Sequence, residues 1–433
     1  MQALLTFDQA PPLAAPFRFF VTAPFFAILV GVLVLWVGPA AFVSRWTPAA
    51  LALTHLVTAG FMLQVMLGAM VQVLPVVAGA NIVRPLLVAR VVHAAITLGA
   101  LLLAAAFLSY EPLLFRLAVV CLACGLEVFV AAAAYALLGV PSTSATIRGL
   151  KLSLIGLGVT AALGLLLASA LGWSLELPLL QLADLHLGWG FVAWSVALLA
   201  AVAYVVVPMF QLTPAYPDWF TRGFSSAALG TVLLWTMADL AGWASASALL
   251  AGAVVALAAL FAGVTLNVQR RSKRAKFDAT QHYWRVAMVS ALAACALWLA
   301  AHTFFALGQW PVWPLLCGVL LFGGFMSVMV GMLYKIVPFL VWMHLQNVGR
   351  GRLAAPNMKK VLAERSMNGQ MAAHFGSFAL LLLAVLWPVW FVYPAGVALI
   401  VANLWLLRNL LSAVGVYRQY CLKVEALIAA QAG

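Results

Sequence analysis

Charge is what this sequence has least of. Only 8% of its 433 residues are Asp, Glu, Lys or Arg, against about 25% in an ordinary soluble domain. Mean hydropathy is +1.11, and no water-soluble fold hides that much apolar surface. A Gly-rich phosphate loop, a His-Glu-x-x-His zinc motif and a Ser or Cys nucleophile with a recognisable base are all missing, so soluble-enzyme chemistry is not indicated. Met1 to Phe19 lacks a basic segment followed by an apolar stretch and a small-residue cleavage site, and no cleaved signal peptide is expected. Cysteine is scarce. Cys121, Cys124, Cys295, Cys317 and Cys421 fall mostly inside apolar runs; the Cys121-x-x-Cys124 pair reads as small buried hydrophobes, with a redox or zinc pair as the alternative.

What fills the sequence instead is apolar runs long enough for helices that cross a bilayer core about 30 Å thick. Apolar length, with prolines and charges as punctuation, predicts twelve helices near 20–42, 50–77, 87–108, 112–139, 149–172, 179–210, 224–243, 246–268, 283–305, 311–343, 372–392 and 395–417. The expected fold is a single all-α transmembrane domain spanning 1–433. Its net charge of +13 sits in short connections and reads as topology, not as a nucleic-acid surface. Arg270, Arg271, Lys273, Arg274 and Lys276 follow the eighth helix, and Arg350, Arg352, Lys359, Lys360 and Arg365 follow the tenth. Arg84 and Arg90, Arg148 and Lys151, and Arg222 mark the loops after helices two, four and six, whereas those after seven, nine and eleven carry no basic residue. Both termini are therefore expected in the cytoplasm. Trp310, Trp313, Trp342, Trp387 and Trp390 read as interfacial anchors.

Three helices share a pattern. Gly60-Phe61 precedes Gly68 and Leu74-Pro75, Gly190-Phe191 precedes Ala201 and Val207-Pro208, and Gly324-Phe325 precedes Gly331 and Val337-Pro338. The prolines are 133 and 130 residues apart, from 75 to 208 and from 208 to 338. That is four helices each time, so the chain reads as three four-helix units, about 20–139, 149–268 and 283–417, with helices two, six and ten equivalent about a pseudo-threefold axis. Chance recurrence of residues common in membrane helices is the alternative.

Ionisable side chains inside a bilayer helix are costly and point to function, although interhelical hydrogen bonding also retains them. His55 opens helix two, His186 opens helix six and His302 closes helix nine, so the three share an outer depth, near Asp184 and Asp239. Imidazoles from different helices at one depth suit haem iron or copper, with interhelical bonding as the alternative. Gly60, just below His55, would let a flat cofactor approach the backbone. His93, His344 and His374 lie at the inner ends of helices three, ten and eleven and read as a second centre or a proton entry; His282 falls in the headgroup region. Glu127, midway along helix four, reads equally as a proton relay or as a protonated packing group, and Lys335 as a relay or a snorkelling side chain.

The three four-helix units, with histidines opening helices two and six, resemble the haem-copper oxidase subunit I superfamily. Within it, Pro16-Phe17-Arg18-Phe19-Phe20 before an apolar helix, then His55, Gly60-Phe61 and Leu74-Pro75, are similar to the NnrS family of haem- and copper-containing membrane proteins associated with nitric oxide tolerance. The resemblance implies His55 as a haem axial ligand and His186 as a copper ligand. The chain also departs from it. Gly190 stands four residues after His186, where the oxidases carry a tyrosine, and helices seven and ten lack the remaining histidines of the oxygen-reducing site.

These departures argue against a terminal oxidase. The resemblance then implies a multi-pass protein of the bacterial inner membrane that binds haem, of b type, through His55 and His302. Copper, if present, is held by Asp184 and His186. The expected activity is oxidoreductase chemistry on nitric oxide or with a redox partner. The alternative of a different class is a proton-coupled transporter using Glu127, Lys335 and the histidines.

Overall fold

The computed structural model describes residues 9–349 and 353–432; Arg350 and Arg352 of the expected basic connection lie outside them. Among the described residues every regular element is helical. Twelve helices of 23 residues or more follow in order. They are α1 (Ala14–Phe42), α2 (Pro48–Ala78), α3 (Pro85–Ser109), α4 (Pro112–Leu138), α5 (Ala145–Trp173) and α6 (Leu179–Gln211), then α7 (Asp218–Leu240). After it come α8 (Ala244–Arg270), α9 (Ala279–Thr303), α10 (Trp313–Gly349), α11 (Glu364–Leu386) and α12 (Pro388–Ala432).

Eleven of the twelve are long and apolar enough to cross a membrane, which makes this a multi-pass membrane protein. The exception, α7, spaces Asp218, Arg222 and Asp239 along its length. Several ends differ from expectation. α1 begins at Ala14 and takes in Pro16 to Phe20, α11 begins at Glu364, and the last helix continues to Ala432. Apolar length measures how much of a helix sits in lipid, and nothing in leaving the bilayer breaks the hydrogen-bond ladder. Pro75, Pro208 and Pro338 all lie inside helices.

Each helix packs on the next, and α12 returns against α1, so the order of the chain closes into a ring. α2 and α6 are the most buried of the spans. Together with α10 they meet pairwise. Ser195 of α6 lies 4.0 Å from Met66 Sδ of α2, Phe191 of α6 packs on Phe322 and Phe325 of α10 with ring centres 5.3 Å apart, and the α2 segment after His55 touches α10. The core is thus built around the three helices that share the Gly-Phe and proline pattern.

Candidate functional site

Both α2 and α6 depart from α geometry at one place. The turns Leu56–Met62, directly after His55, and Trp189–Val196, three residues after His186, are π-helical. A π turn accommodates an extra residue at the expense of good packing along the axis, and such segments collect at functional sites. His55 thus stands 20 residues before Pro75 and His186 stands 22 before Pro208, each at the mouth of a widened turn. α10 has no histidine in that position. Cys317, 21 residues before Pro338, is buried there with its thiol 3.6 Å from Ala294 O.

The imidazoles themselves are held in one way. His55 Nδ1 lies 2.8 Å from Leu51 O, one turn back on its own helix. His186 Nδ1 lies 3.0 Å from Thr160 O on α5, where Gly164 leaves the space that the ring fills. A carbonyl only accepts, so Nδ1–H donates in both cases and Nε2 is left with its lone pair. Among the described residues neither Nε2 has a protein hydrogen-bond acceptor or donor. This is the arrangement of a metal-ligating histidine, whose second nitrogen is fixed by a backbone carbonyl. Phe107 stacks on the His55 ring with centres 5.0 Å apart.

His302 shares the same bonding, with Nδ1 2.8 Å from Trp298 O, but not the same place. It is exposed at the end of α9, stacked on Trp298 at 4.0 Å with Trp313 edge-on at 5.6 Å. It lines a cavity of about 410 Å³ with Thr303, Gln309 and Trp313. No described contact joins it to His55.

Asp184 turns away from His186. Residues two apart on a helix do not face each other, and Asp184 pairs with Arg45 at 3.5 Å. Asp239 is likewise occupied, accepting from Gln181 and Ser247 at 2.8 Å each. Gly60 does not receive a flat cofactor on its bare face, because a Cβ there would strike the Phe26 ring. Phe26 takes the room that the missing side chain leaves.

The inner-end histidines are engaged at Nε2. His93 bonds Thr22 Oγ1 at 2.8 Å, His344 Nε2 lies 3.1 Å from Pro11 O, and His374 bonds Ser327 Oγ at 2.9 Å. No described contact joins them to one another. His282 packs on Phe277. Lys335 donates to Asp278 Oδ2 at 2.7 Å, at the N-cap of α9, an oxygen that also accepts from Arg274 at 2.9 Å. Glu127 lies on the exposed face of α4, and Cys124 one turn away is exposed as well rather than buried; all five cysteines are free thiols.

A polar network in α9 to α12 escaped the sequence reading. Gln370 Oε1 accepts from Tyr283 at 2.6 Å and from Tyr334 at 2.9 Å. Asn409 donates to Tyr334 at 2.9 Å and accepts from Ser366 at 2.7 Å, and Trp405 donates to Ser366 at 3.0 Å. Its one signal was Asn409 in an apolar run; Gln370 lies in the polar stretch ahead of the predicted eleventh helix, and the sequence does not say which groups either meets. Each member is satisfied by the next, so the network reads as a lock between four helices. Gln370→Leu is expected to strand both tyrosine hydroxyls and to cost about 1–3 kcal/mol per stranded group. Thermal unfolding of the detergent-solubilised variant measures this, and an unchanged midpoint would show that the network contributes nothing.

No protein-family model matches the chain, and no curated protein matches it.

Proposed function

We propose that this chain binds haem between His55 and His186 and acts as an electron-transfer protein of the membrane. The observation that supports the reading is the pair of imidazoles beside the π turns of α2 and α6, each with Nδ1 anchored on a backbone carbonyl and Nε2 free. The donor set favours haem over a protein-only copper site. Among the described residues no three of His, Cys, Asp and Glu gather where they could hold a metal ion. Haem needs only axial donors from the protein, whereas copper in a protein site is usually held by three or more side chains. When bound, haem supplies reversible one-electron chemistry.

The protein's own contribution is positional. Leu51 O and Thr160 O fix the ring orientation and raise the basicity of each Nε2. Phe107 covers one face of His55. If His55 and His186 both hold the haem, the protein leaves no open position for nitric oxide, so electron transfer would be the leading activity and nitric oxide handling the secondary one. The three central helices α2, α6 and α10 are read as equivalents about a pseudo-threefold axis, as in the oxidase-like architecture. The basic connections are read as the cytoplasmic side of a bacterial inner membrane.

The test is optical and elemental. Protein purified from cells supplied with a haem precursor is expected to carry one iron per chain and to show a low-spin reduced-minus-oxidised spectrum. His186→Ala is expected to convert it to a high-spin spectrum. Iron-free, colourless protein would overturn the reading.

A further inference from the structure

The pocket between the start of α11 and the middle of α12 is unrelated to the histidine pair. It has a volume of about 530 Å³ and is lined by Ala363, Arg365, Ser366, Gly369, Trp405 and Arg408. Among the described residues neither guanidinium makes a hydrogen bond or an ion pair. Glu364, in the same first turn of α11, is exposed and pairs with neither. Gly369 has no side chain, which lets the Trp405 ring pack against it, and the Trp405 indole is held by its bond to Ser366. The α11 N-terminus has no side-chain cap, so its first amides add to the positive character of the same wall.

Depth decides what such a pocket meets. α12 starts at Pro388, beside the exposed Trp387 and Trp390, which mark one membrane interface. From Pro388 to Arg408 is 20 residues, or about 30 Å of helix. That is the thickness of the hydrocarbon core. The Ser366–Asn409 bond holds the start of α11 at the same level. Two unpaired arginines therefore face the opposite headgroup layer, beside a tryptophan, at the height of lipid phosphates.

We infer that this pocket is a specific site for a phosphate group, supplied by the headgroup of an acidic glycerophospholipid. Guanidinium binds phosphate oxygens in paired, charge-assisted hydrogen bonds. The bound headgroup ties α11 to α12 next to the polar lock through Ser366.

The experiment uses the full chain, stripped of lipid in detergent. It is titrated with phosphatidylglycerol, with phosphatidylcholine or with inorganic phosphate, and bound ligand is counted by native mass spectrometry. One phosphatidylglycerol per chain is expected to bind about tenfold more tightly than phosphatidylcholine. Arg365→Gln with Arg408→Gln is expected to weaken it by about tenfold, while Arg270→Gln with Arg271→Gln, an equal loss of charge elsewhere, changes it less than about twofold. Equal retention of the two lipids, binding unchanged in the first double variant, or an equal loss in the second would overturn the site. Inorganic phosphate filling the pocket while phosphatidylglycerol does not bind would overturn the lipid assignment.

Discussion

His55→Ala is expected to remove at least about nine-tenths of the bound haem, because an axial bond has no substitute among the apolar side chains around it. The protein should still insert and fold. The ring gives up its stacking on Phe107 and its bond to Leu51 O, a stability loss on the order of 1–2 kcal/mol. His302→Ala distinguishes the two pairings. His302 lies exposed at the end of α9 against Trp298 and Trp313, so its loss is expected to leave haem content and spectrum unchanged. Pyridine haemochrome content, measured against protein, checks both variants. Full haem in His55→Ala would contradict the assignment of His55, and haem loss in His302→Ala would move the second ligand to α9.

Gly156→Ala is the second large effect. A Cβ at this position of α5 would collide with the carbonyl of Ala193 and come within 2.9 Å of Trp194 N, both backbone of the π turn in α6. A backbone neighbour cannot rotate aside as a side chain can, so the two helices must part. The expected cost is about 3 kcal/mol or more, at the upper end of overpacking effects. Because Thr160, which holds His186, lies one turn along α5, the displacement should also disturb the low-spin spectrum. Gly158→Ala is the control, since a Cβ there meets nothing within 4 Å, and it should change stability by less than about 0.5 kcal/mol. Unfolding midpoints and spectra of the two variants make the comparison. Equal behaviour would mean that the α5–α6 contact does not matter.

The helices were legible because a bilayer imposes its thickness on sequence as apolar length. Their ends were less so. Glu364 to Met371 and Arg418 to Ala432 are helical although they are polar or charged, since the ladder continues past the lipid that made the apolar run recognisable. The two π turns were not legible at all. Trp189 to Val196 and Leu56 to Met62 have no residue pattern that distinguishes a widened turn from an ordinary one.

Depth arithmetic grouped His55, His186 and His302, and all three turn out to donate Nδ1–H to a carbonyl. It did not reveal that His302 sits exposed against Trp298 and Trp313, because that depends on helix packing. The separation of Asp184 from His186 was in principle readable from their spacing of two residues on a helix. Gly60 shows the opposite limit. A missing side chain announces close approach, but only the fold shows that Phe26, and not a cofactor, makes it.

The central claim is that two histidines, one from α2 and one from α6, meet at one iron. Electron-nuclear resonance of the oxidised protein, with histidine alone labelled with nitrogen-15, reads this directly. Two strongly coupled histidine nitrogens are expected, with the signal of one lost in His186→Ala and neither lost in His302→Ala. A single coupled histidine nitrogen, or a pair that survives in His186→Ala, would contradict it.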